Sequence, residues 1–137
     1  MARYIDGFVV PIPTDRIAQY RSLARKAGKI WREHGALEFI ECIADDVKPG
    51  KLTSFPQSVK LKPGEVVAFS WIAFKSRKHR DSVNAKVMSD PRLAGMMDAD
   101  DLPFDAKRMI FGGFKTLVEL RRATRSPCPD RIDSGPL

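Results

Sequence analysis

An amphipathic stripe set between two apolar, strand-like runs constrains this 137-residue chain more than any other feature. Ile17, Tyr20, Leu23, Ala24, Ala27, Ile30 and Trp31 recur at helical spacing and stop at Gly35, a residue suited to the left-handed end of a helix. Ahead of this stripe, Tyr4 to Ile12 reads as a strand closed by Pro11 and Pro13, with Thr14 as the expected helix cap. Leu37 to Ala44 and Val66 to Phe74 are apolar runs rich in branched and aromatic residues, and so are expected strands. Ser76 caps a second helix carrying His79, Val83 and Val87 and ending at Asp90-Pro91. A last strand is expected from about Arg108 to Leu120. The order is strand, helix, strand, strand, helix, strand.

That order closes most simply as an α+β ferredoxin-like βαββαβ unit. It implies a four-stranded antiparallel sheet, the first and third strands central, with both helices on one face. Two connections are long. Residues 45–65 are expected to hold a short extra strand or hairpin arm around Gln57–Leu61, with a turn at Lys62-Pro-Gly-Glu65. Residues 90–107 contain Leu93, Met96, Met97, Leu102 and Phe104, too apolar for a free linker. One domain is expected over 1–120, followed by a basic, Pro-containing tail over 121–137 that is largely disordered.

Strand alternation then divides the sheet into two faces. The smooth aliphatic sets, Ile5, Gly7 and Val9 with Ile40, Cys42 and Ala44, are assigned to the helix side. Tyr4, Asp6, Phe8, Phe39, Glu41, Phe69 and Trp71 are assigned to the other face, where a second copy of the sheet is the simplest cover. The expected assembly is a homodimer with its sheets face to face.

Charge and cysteine usage narrow the functional classes. The net charge is +7, of which the segment after Leu120 contributes +2, so the body has a moderate basic bias that speaks of solubility and non-specific attraction. Cys42 and Cys128 form no Cys-x-x-Cys pair, and no apolar segment reads as a signal or membrane span, which points to a cytoplasmic protein without a membrane role. No metal-ligand spacing, nucleophile–base series or phosphate-cradling loop is present, so no metal or cofactor is expected. Gly112-Gly113 in the last strand favours a bulge or a close approach of backbones.

The chain nevertheless resembles a known family. Tyr4-Ile-Asp-Gly-Phe-Val-Val10, Glu41-Cys-Ile-Ala-Asp-Asp-Val47, Phe69-Ser-Trp71, Ser76 with Arg80-Asp81, Met88-Ser-Asp-Pro-Arg92 and Pro103-Phe-Asp-Ala-Lys-Arg-Met-Ile-Phe-Gly-Gly-Phe114 are similar to the YbaA-like set of small uncharacterised bacterial proteins. The resemblance implies the dimeric α/β-barrel superfamily, two ferredoxin-like protomers with facing sheets, and no settled reaction. Ala106 stands where that family more often has Gly.

Candidate ligand-binding residues are Asp6, Glu41, Trp71 and Arg108, taken to line a pocket beside the sheet. Asp6 and Glu41 lie two strand spacings apart, roughly 9 to 10 Å, too far to share a proton directly. The bland alternative for both is ion pairing across the dimer, with Lys107 or Arg108 as partner. Nucleic acid is the competing ligand class, because aromatics on the third strand of such a sheet stack bases in RNA-recognition domains. Acids on that face would repel phosphates, which leaves the basic outer faces of the helices, Arg21, Arg25, Lys29 and Arg32 on the first and Lys78 and Lys86 near the second, as the alternative RNA contact. A purely structural or partner-binding dimer is the third reading.

Overall fold

In a computed structural model, residues 2–98 and 100–122 are described. The order is β1 (Tyr4–Pro13), a single 3₁₀ turn (Thr14–Arg16), α1 (Ile17–Glu33), β2 (Glu38–Ile43), α2 (Phe55–Ser58), β3 (Glu65–Phe74), α3 (Arg77–Met88), α4 (Pro91–Met97) and β4 (Ile110–Lys115). The strands form one antiparallel sheet in the order β2-β3-β1-β4. This is the ferredoxin-like arrangement.

Local chemistry accounts for the element ends. Gly35 ends α1 at φ +120°, a conformation that a Cβ would strain. The Ser76 side chain accepts the His79 amide at 3.1 Å, and Asp90 accepts the Arg92 amide at 2.9 Å, so each opens a helix as an N-cap. Thr14 does not cap α1; its hydroxyl and its amide both donate to the Gly64 carbonyl, tying the end of β1 to the turn before β3.

Two expectations change, at residues 55–58 and in the last strand, while the apolar segment after Asp90 packs on the core rather than forming a free linker, as expected. Residues 55–58 make a helical turn instead of a strand, because Ser54 caps it and Pro56 takes its first turn, where a missing amide proton costs nothing. This arm lays Val59 against Val9 and Val67 over one end of the sheet. Residues 91–97 form α4, with Leu93 in the core among Ile30, Val83 and Val87. The last strand is shorter than Arg108–Leu120: β4 stops at Lys115, and Leu117 and Leu120 are fully exposed. The tail from residue 123 lies outside the described residues, as does Cys128.

The assignment of faces is reversed for β1 and β2. Cross-strand partners place Asp6 beside Ile72, and Glu41 beside Ser70, on the side covered by α1 and α3. Ile5, Gly7, Val9, Ile40 and Cys42 share the open side with Phe69 and Trp71. Both alternating sets on β1 are apolar, so hydrophobicity alone does not choose between them. What decides is that α1 and α3 bring polar partners to the two acids.

Candidate functional site

The helices do not seal onto the sheet. Between them lies a cavity of about 600 Å³, walled mostly by apolar side chains that include Phe8, Leu23, Ala27, Trp31, Phe39 and Met97, with Asp6 and Glu41 in its lining. The volume is in the range of small-molecule sites. One wall depends on Gly28: a Cβ there would stand 2.6 Å from the Phe39 ring, which lies 5.9 Å from the Trp31 ring. Phe104, from the segment before β4, sets its ring edge-on to Tyr20 at 5.9 Å.

Asp6 is only 5% exposed. Trp31 Nε1 donates to Asn84 Oδ1 at 3.0 Å, which turns the Asn84 amide nitrogen toward Asp6, where it donates to Oδ2 at 3.2 Å. Arg80 Nη1 stands 3.6 Å from Oδ1, yet Oδ1 has no hydrogen-bond partner. Burial pushes the Asp6 carboxyl above its ordinary value, against the opposing pull of Asn84 and Arg80. Arg80 is positioned in turn by Tyr4, whose ring lies 5.0 Å beneath the guanidinium and whose hydroxyl accepts from Nη2 at 3.2 Å. Gly113 makes room for side chains instead of the bulge or backbone approach expected there: a Cβ on it would lie 2.5 Å from the Tyr4 hydroxyl and 2.8 Å from Arg80 Nη2.

Glu41 occupies the other end. Tyr20 donates its hydroxyl to Oε1 at 2.7 Å; burial raises the Glu41 carboxyl, while this hydrogen bond lowers it. A carboxyl raised by folding lowers stability as pH climbs past its unfolded value, about 4.5, and imposes no such penalty well below it. Glu41→Gln is therefore expected to raise the melting temperature at neutral pH and to leave it nearly unchanged around pH 3.5. Melting curves at the two pH values check this; an equal shift at both would contradict a desolvated carboxylate.

The four residues singled out from the sequence divide into three locations. Asp6 and Glu41 share the cavity. Trp71 belongs to a stretch of β3 that forms part of its wall, but its indole alternates to the open face, with Nε1 3.4 Å from Glu38 and the ring 5.9 Å from Phe69. Arg108 lies elsewhere, held by Glu65 at 2.6 Å and Asp105 at 2.7 Å, and its hydrogen bonds keep both carboxyls below the usual range. Within one chain, among the described residues, neither Arg108 nor Lys107 pairs with Asp6 or Glu41.

Arg80, Asn84 and Tyr20 were missed as site residues. A signal for the first two exists: with Val83 and Val87 they make an i, i+3, i+4, i+7 series, so α3 carries two polar side chains inside its buried stripe.

The open face contains Phe69, Ile40, Ile110 and Phe114, 42%, 37%, 45% and 62% exposed. With Asp6 and Glu41 on the other side, the acid beside the exposed aromatics is Glu38, 3.4 Å from Trp71 Nε1. Cations bordering this face are engaged: Arg3 with Glu38 and Glu119, and Arg108 with Glu65 and Asp105. Among the described residues no three His, Cys, Asp or Glu side chains are grouped to hold a metal ion, and no helix is long and apolar enough to cross a membrane.

The sheet order, with α1 and α3 on one face, defines an α+β protein of the ferredoxin-like class. In agreement, a dimeric ferredoxin-like protein from an uncultured marine organism superposes with a TM-score of 0.52 over 89% of this chain and 100% of that one, at 10% identity. Residues 3–106 match the family described as "Protein of unknown function (DUF1428)". The chain is 46% identical over 117 residues to "Uncharacterized protein YbaA" of Escherichia coli K12, covering 85% of this chain and 98% of that protein. The YbaA protein of Shigella flexneri matches to the same extent. The chain belongs to this DUF1428 family.

Proposed function

We propose that the protein is a homodimer in which each protomer binds a small, largely apolar molecule between its helices and its sheet. The observation that carries this reading is Asp6: a carboxylate buried in the wall of an apolar cavity with one oxygen unpartnered. Such a group is costly to keep unless something hydrogen-bonds to it. A bound molecule that donates to Oδ1 removes the deficit, and the raised pKa equips Asp6 to accept a proton from that molecule. Dimerisation is supported by the apolar open face and by the marine protein of the same fold, which is described as dimeric.

A neutral fluorescent probe, N-phenyl-1-naphthylamine, tests the cavity. Its fluorescence is expected to rise saturably, with one dye per chain, and the rise is expected to disappear in Ala27→Trp, which fills the space under α1. Retention of the far-UV circular dichroism spectrum shows that the variant is folded. Equal saturable binding by Ala27→Trp, or none by the parent protein, contradicts the proposal.

A further inference from the structure

The two polar ends of the cavity are not equivalent in charge. Asp6 has Arg80 within 3.6 Å, so its ionised form has a cation of its own. Glu41 has the Tyr20 hydroxyl at 2.7 Å and, among the described residues, no Lys, Arg or His nitrogen within 4.0 Å. Its surroundings do not supply the missing charge: Ser70 lies across from it on β3, and Phe39 precedes it on the same face of β2.

Aromatic side chains line the cavity from the Glu41 end, where Tyr20 and Phe104 lie, to the Asp6 end, where Trp31 bonds Asn84. Tyr20 stands edge-on to Phe104, while Phe39 packs on Trp31, each pair with centroids 5.9 Å apart. A desolvated carboxylate without a cation, placed among ring faces, favours an occupant that brings a positive charge on an apolar body. An alcohol would satisfy the hydrogen bond but leave the charge unmatched. An anion would add repulsion from Glu41.

We propose that the cavity takes a small aromatic amine, its ammonium group paired with Glu41 and its rings lying against Trp31, Phe39 and Phe104. This rests on the cavity being a binding site, as set out above. The charge-assisted pair forms at a half-buried carboxylate, where the local dielectric is lower than at the open surface and the contact correspondingly stronger. Glu41 thereby becomes the residue that distinguishes an amine from its neutral counterpart.

Calorimetric titration with tryptamine and with tryptophol, its alcohol counterpart, tests the inference near neutral pH. The parent protein is expected to bind tryptamine at least about tenfold more tightly. Glu41→Gln is expected to abolish the preference while holding tryptophol with roughly its original affinity, which also shows that the variant is folded. If Glu41→Gln does not fold, the ratio in the parent protein decides alone. Equal affinity for the two probes, or no tryptamine binding by a protein that binds the naphthylamine dye, overturns the amine inference and leaves the cavity standing. Failure of the dye and both indoles brings down the cavity reading itself.

Discussion

In the proposed dimer, Phe69→Asp is expected to weaken self-association by roughly 100-fold or more and to leave a monomer. Phe69 sits in the middle of β3 on the side of the sheet opposite α1 and α3, with Phe55 of α2 5.8 Å and Trp71 5.9 Å away and 42% of its surface exposed. In a two-fold dimer formed by this face, each substituted residue buries a charge without a partner, and both copies incur the cost. Sedimentation across a concentration series checks the mass, and far-UV circular dichroism checks that the sheet persists. An unchanged dimer would remove this face as the interface; a parent protein already monomeric at high concentration would remove the dimer.

Phe74→Ala has the largest expected effect on stability. Phe74 is wholly buried, in the cluster that joins β3 to α3 through Val83 and Val87, with its ring 6.0 Å from that of His79. Loss of a buried phenyl ring with incomplete collapse around the space costs about 3–5 kcal/mol, a large share of the stability of a domain this size. Denaturant titration is expected to show a lower midpoint with little change in slope. Because α3 carries Arg80 and Asn84, the same substitution should loosen the Asp6 end of the cavity. A loss below about 1 kcal/mol would mean that the α3–β3 contact is not part of the cooperative core.

Element order was legible because periodicity is local. The stripe from Ile17 to Trp31, the stop at Gly35 and the cap at Ser76 each depend on residues within a few positions of one another, and those elements stand where expected. The face assignment failed for the opposite reason. Strand alternation separates Asp6 from Ile5 but does not say which of them meets the helices, and that depends on Asn84 and Arg80, more than seventy residues away. Assigning the smooth aliphatic sets to the helix side used the strands alone, without these distant partners.

Site residues followed the same division. Asp6 and Glu41 stood out as acids within apolar strands, and they do share one cavity. Trp71 and Arg108 were grouped with them by proximity to the sheet, whereas the indole alternates to the open face and the guanidinium is tied to Glu65 and Asp105. The pairing of Arg108 with Glu65 crosses forty-three positions, and no local pattern reveals it. Gly113 shows an intermediate case: the need for a small residue was visible, but its reason, room for Tyr4 and the Arg80 guanidinium, emerges only from the fold.

The most direct test is a crystal structure of the protein with N-phenyl-1-naphthylamine bound. The expected density lies between α1 and the sheet, among Trp31, Phe39 and Phe8, with the dye amine directed to Asp6 or Glu41 and the Phe69 faces of two copies in contact. Dye resting on the Phe69 face while the helix–sheet cavity is collapsed or closed would contradict the account.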